Sequence, residues 1–150
     1  MKILNKFFNQ RRKIDDLNAE IENSIKKNSD TAISFAKDFQ KDFNYSKESI
    51  DDLEGILDYY SNDISKSNPT ENQIWSMSII FGSYLGEVIL KNGLFEKGYR
   101  WGKDNFSDIP ILVADGGWHI TPIDKVYKRL VNGKEDSVIS FYKLAMEMVR

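Results

Sequence analysis

The chain has 150 residues, 41% of them apolar and 13% aromatic, with a net charge of −2 and no cysteine. That is enough apolar material to bury one core, so residues 1–150 read as a single domain rather than a disordered chain. The lack of cysteine excludes disulfides and thiolate metal centres, and a pI of about 5.5 argues against a general nucleic-acid footprint.

The opening MKILNKFFNQRRK is not a secretory signal. Asn5 and Lys6 break its apolar residues, and the basic run Arg11, Arg12, Lys13 stands where a cleavage site would be. A cytoplasmic protein is expected. Residues 3–27 predict a helix, with Leu4, Phe7, Phe8, Ile14, Leu17, Ile21 and Ile25 forming an apolar stripe. Residues 30–43 predict a second helix, with Ala32, Phe35, Ala36, Phe39 and Phe43 inward. A third, over about 47–64, turns Ile50, Leu53, Leu57, Tyr60 and Ile64 inward.

SKSNPTENQ breaks the pattern, and Thr70 and Gln73 form a T-x-x-Q capping box. The helix that follows runs to about Lys91, where Asn92-Gly93 supplies a left-handed stop. Its apolar stretch, Ile74 to Leu90, is 17 residues long and includes Glu87, three serines and two glycines. A membrane span needs about 20 mostly apolar residues, so this is expected to be a buried central helix without stable membrane insertion. Ser78, Gly82 and Gly86 recur every four residues and predict a groove open to another backbone.

From 99 to 121 the period shortens. YRW, ILVA and WHIT predict short strands, with a positive-φ turn at Asp115-Gly116. Trp118 and Ile120 should share one sheet face, with His119 on the other. Thr121 is expected to cap a helix that begins with Pro122, carries Asp124 at its third position and ends at Asn132-Gly133. A last helix over about 135–149 should bury Val138, Phe141, Tyr142, Ala145, Met146 and Val149. The predicted fold is α+β and mostly helical: four N-terminal helices, a small antiparallel sheet at about 99–121, and two C-terminal helices.

Candidate chemistry is sparse. His119 is the only histidine, and as a base it would need an orienting carboxylate or a nucleophile beside it. Asp115 and Asp124 are near in sequence, but turn and cap duties occupy both. No catalytic residue, metal ligand set or cofactor is expected. Glu87 lies near the end of the buried helix, where the helix dipole disfavours an anion, so it needs a partner. Arg100 is the expected one, as a structural ion pair; the other reading is a functional carboxylate in a cleft. Lys125, Lys128 and Arg129 read as a solvated basic face.

The sharpest surface signal is SKESIDDLEGILDYYSND, residues 46–63. Six acids face one lysine, a net −5 in a chain of −2, so the remainder is +3. Such segregation steers a basic partner. Asp51, Asp52, Glu54 and Asp58 are the expected contact residues, with Tyr59 as an aromatic anchor; the plainer reading is a solvated acidic face.

SYLGEV (83–88), Trp101 and TPIDKVYKRLVNGKEDSVISFY (121–142) resemble small bacterial proteins that include immunity proteins of polymorphic and contact-dependent growth inhibition toxin systems. The matching positions are Tyr84, Gly86, Glu87, Trp101, Pro122, Val126, Arg129, Asn132, Gly133 and Ser137. They lie in the C-terminal half. The resemblance implies a non-enzymatic cytosolic antitoxin that binds a cognate toxin protein.

Two functions of different class follow as expectations. One is a monomeric immunity protein that neutralises a cationic, nuclease-type toxin and makes no direct contact with nucleic acid. The other is a small enzyme or ligand-binding domain with a polar cleft around Glu87, Arg100, Trp101 and His119.

Overall fold

The computed structural model describes residues 2–150; the side chains of Lys2, Ile3, Phe7, Arg11 and Asp15 lie outside what it describes, so the roles expected of Phe7 and Arg11 do too. Helix α1 spans Lys2–Asp38, α2 Glu48–Ser67 and α3 Glu71–Ile89. A three-stranded antiparallel sheet follows, from β1 (Arg100–Gly102), β2 (Ile111–Val113) and β3 (His119–Ile120), in the order β1-β2-β3. Helices α4 (Pro122–Asn132) and α5 (Val138–Glu147) close the chain. The fold is mostly helical with a small sheet between helices, as expected; the N-terminal helices number three rather than four.

The count differs because the two helices predicted across 3–43 are one. The apolar stripe passes through Ile25, Ser29, Ala32 and Ala36 without a break, all of them buried, so the polar stretch Asn28 to Asp30 does not interrupt it. The helix stops at Asp38 rather than 43. Gln40 takes φ 61° and the Lys41 N–H bonds back to the Ala36 carbonyl. Phe43 is buried from the loop, stacked on Tyr84 at 4.3 Å.

Helix α3 is the centre of the molecule. It is apolar and long enough to cross a membrane by composition, but over half of that stretch is buried inside the protein, against α1 and α4. Its start is the predicted capping box: the Thr70 hydroxyl accepts from the Gln73 N–H, and Gln73 Oε1 accepts from the Thr70 N–H. Past Ile89 the chain makes a π-helical turn, Leu90–Leu94, which Gly93 allows with φ 151°. The small residues do their predicted work unevenly. A Cβ on Gly82 would sit 2.5 Å from the Cα of Ile123, so here α4 meets α3 backbone to backbone. At Gly86 the close neighbour is a side chain, the Trp101 ring, which leaves no room for a Cβ.

The sheet register pairs Trp101 with Leu112 and Leu112 with Ile120. Gly116 turns the β2–β3 connection with φ 86°. Trp118 departs from expectation: it precedes β3 and is 71% exposed, while Ile120 packs on the core. Thr121 precedes Pro122 as predicted but makes no side-chain cap. The last helix starts later than predicted, after a 3-10 turn at Lys134–Asp136. Ser137 caps it by accepting from the N–H groups of Ile139 and Ser140.

Candidate functional site

Two places on the surface gather the residues singled out by sequence. The first is the outer face of α2. Spacings of three and four bring Asp51, Glu54 and Asp58 around a shallow depression beside Gly55, Lys134 and Ser137, with Arg129 at its floor. Arg129 is 1% exposed. Its Nε donates to Glu54 and its Nη2 to Asp58, both at 2.7 Å. Burial disfavours the Arg129 charge, but the hydrogen bonds to Asp58 and Glu54 outweigh it and raise the guanidinium above its ordinary value. The Arg129 hydrogen bond in turn holds the Asp58 carboxyl below the usual range.

This corrects two expectations. Glu54 and Asp58 are not loose surface acids, because each is tied to α4. The basic run on α4 is not a simple solvated face either. Arg129 points inward, Lys125 pairs with Asp136 at 3.0 Å, and Lys128 pairs with Asp124 at 3.2 Å. The signal for Arg129 was present: it falls three residues after Val126 and next to Leu130, on the helix face that Ile123 also uses. Asp52 stands 3.6 Å from Lys41. Asp51 is exposed. Tyr59 is 59% exposed, and its ring meets the edge of Phe39 at 5.3 Å.

The second place is a cleft of about 520 Å³ between α1, the end of α3 and β1. Its floor is apolar, from Leu90, Phe95 and Trp101. Its rim carries three carboxylates, Glu22, Glu87 and Glu96, and three cations, Lys26, Lys91 and Arg100. Glu87, Arg100 and Trp101 therefore do meet, but not in the expected pairing. Among the described residues Glu87 and Arg100 form no ion pair. Glu87 accepts from the Trp101 indole N–H at 3.4 Å. Arg100 donates to the carbonyls of Phe95 (2.9 Å) and Tyr99 (2.7 Å) and lies over the Phe95 ring at 3.6 Å. Phe95, directly after the π-helical turn, brings its ring and its carbonyl to the guanidinium, and that carbonyl also accepts from the Gly98 N–H. Sequence reasoning did not find Lys26, Lys91 or Phe95, which reach the cleft only once α1 is laid along α3.

His119 lies outside the cleft. It is exposed, and its Nδ1 is 3.2 Å from the Gly117 carbonyl oxygen. Asp115 and Asp124 show no bond to it. Among the described residues no three metal-ligating side chains are gathered.

The positions on which the expected resemblance rests are mostly interior. Tyr84, Gly86, Trp101, Pro122, Val126 and Arg129 are all buried, where α3 meets α4 and β1. Tyr84 shows what they do: its hydroxyl accepts from the Tyr45 N–H at 2.9 Å and donates to Ser49 at 2.7 Å. Comparison with family models, curated proteins and solved structures finds no match for this chain.

Proposed function

We propose that the chain is a non-enzymatic immunity protein that binds and neutralises a basic, nuclease-type toxin domain. The observation that carries this reading is the outer face of α2, where Asp51, Glu54 and Asp58 surround one depression with Tyr59 exposed alongside. A nuclease must meet phosphate and so presents cations. An acidic surface is the complement that speeds encounter with such a partner and rejects acidic ones. Arg129 adds a further property. It holds two of the carboxylates in one geometry, so binding orders fewer side chains. The test is to co-express the protein with the product of its neighbouring gene and to follow growth. Arrest by that product, relieved by the wild-type protein, supports the reading; protection that survives Asp51→Lys with Asp52→Lys removes α2 from the interface.

A second reading is a ligand-binding domain at the cleft of Glu87, Arg100 and Trp101. Its support is the cleft itself, an apolar floor with converging charges of both signs, which suits a small ligand carrying both charges. His119 has no part in it. A thermal-shift series with free amino acids separates the two readings, since a stabilised wild type and an unresponsive Arg100→Ala belong to the second alone.

A further inference from the structure

We propose that Gly55 is the seat on α2 for one long cationic side chain of the partner, set between Asp51 and Tyr59; this rests on the immunity reading above. Spacings of four place Asp51, Gly55 and Tyr59 in one row along the helix, and all three are exposed. The row runs from an acid, over bare backbone, to an aromatic ring. The fold does not ask for glycine here. Gly55 lies in the interior of α2, without the positive φ of Gly93 or Gly116, and a Cβ built on it would meet nothing within 4 Å. Glycine in a helix interior is less stable than alanine, because it loses more conformational freedom on folding. Gly82 and Gly86 are explained by the neighbours that crowd them, Ile123 and Trp101; no neighbour in the chain explains Gly55.

The groups around the seat name its occupant. Three carboxylates, Asp51, Glu54 and Asp58, line the same depression against two cations, Arg129 and Lys134. Arg129 spends its Nε and Nη2 on Glu54 and Asp58, and Asp51 has no hydrogen bond or ion pair among the described residues. Arg129 is itself 1% exposed, and its Nη1 finds no acceptor among the described residues. A buried donor without an acceptor is costly. One carboxylate and one buried donor are thus left unmatched at this place, and a basic residue brings both a cation and a main-chain carbonyl. The stem of its side chain lies on the bare backbone of Gly55, and the Tyr59 ring offers a face to the charge.

The test follows dissociation of the full chain from the product of its neighbouring gene, beside the thermal midpoint of the free chain. Gly55→Ala should raise the midpoint by about 2–4 °C, since the helix gains and nothing clashes. Gly55→Leu should melt no lower than wild type and dissociate about tenfold faster, with association unchanged because every charge stays in place. Asp51→Asn should speed dissociation of the wild type but add little to Gly55→Leu, because both changes remove the same contact. A Gly55→Leu variant that dissociates at the wild-type rate overturns the seat and leaves α2 as the interface. A lowered midpoint in Gly55→Ala overturns it as well, since the fold then needs the glycine. Fully additive effects of Gly55→Leu and Asp51→Asn overturn the single shared side chain. A wild type that does not bind the product at all overturns the immunity reading, and the seat with it.

Discussion

The Nε of Arg129 on α4 lies 2.7 Å from Oε2 of Glu54 on α2. The pair is 75 residues apart in sequence, and with Asp58 it locks the acidic helix to the C-terminal half. Arg129→Ala should therefore destabilise by about 3 kcal/mol, since it empties a buried site and leaves two carboxylates facing each other. Arg129→Lys should recover only part of this, because an ammonium cannot span both acids as the planar fork does. Urea denaturation of the two variants checks the order.

The same pair sets a pH dependence. The Arg129 hydrogen bond depresses Asp58 in the folded state. A depressed carboxylate contributes stability that is complete above its unfolded pKa of about 3.9 and is lost as pH falls through its folded value. Asp136 is depressed in the same direction by its hydrogen bonds from Asn132 and Lys125. Asp58→Asn should thus flatten the loss of thermal midpoint below about pH 4. A variant that follows the wild-type profile through that window would show that the ion pair is not linked to folding.

Glycines on α3 should differ in their tolerance. Gly82→Ala forces a methyl against the Ile123 backbone, which cannot move without shifting α4. Gly86→Ala meets the Trp101 indole, whose displacement would also cost the Glu87 hydrogen bond. Both should destabilise by about 1–3 kcal/mol, with Gly82→Ala the more severe. Differential scanning calorimetry gives the ranking.

What sequence could show, and what it could not, follows from the range of each interaction. The Thr70–Gln73 box, the Asp115-Gly116 turn and Pro122 at a helix start are local, and each is found where its residues predict. The three strands were legible because alternation is also local. The single α1 was not, because Asn28-Ser29-Asp30 looks like a break until Ser29 is seen to be buried against the body. Arg100 was matched to the wrong group for a similar reason. Glu87 was expected to pair with it as the buried helix's acid, with Arg100 on the strand that follows, but Phe95 after the π-helical turn supplies its carbonyl and its ring instead. Of the candidate binding residues, Asp51 and Tyr59 are exposed as expected, while Glu54 and Asp58 carry a structural duty that only the position of α4 discloses.

Tyr84→Phe should cost about 1–3 kcal/mol, because the Tyr45 N–H loses its acceptor and the Ser49 hydroxyl, which still donates to the Ser46 carbonyl, loses its donor. Burial raises the Tyr84 phenol above 10.0, against the opposing hydrogen bonds of Ser49 and Tyr45. Its contribution is complete below the unfolded value and is lost as pH rises through the folded one, so wild type should weaken above about pH 10 more steeply than Tyr84→Phe. Thermal midpoints across that window decide it.

His119→Ala should leave both folding and protection intact, since the imidazole is exposed and, among the described residues, hydrogen-bonds only with the Gly117 carbonyl. A folded variant that no longer protects would reassign the β2–β3 turn as part of the binding surface.

The central claim is that α2 presents an acidic face to a basic protein. The most direct measurement is the association rate of the purified chain with the product of its neighbouring gene, at low and physiological salt, for wild type and for Asp51→Lys with Asp52→Lys. The account predicts fast association for the wild type that slows as salt screens exposed charges over about 8 Å. It predicts slower association, with little salt dependence, for the double variant, and unchanged folding stability. Equal rates for the two proteins at both salt concentrations would contradict it.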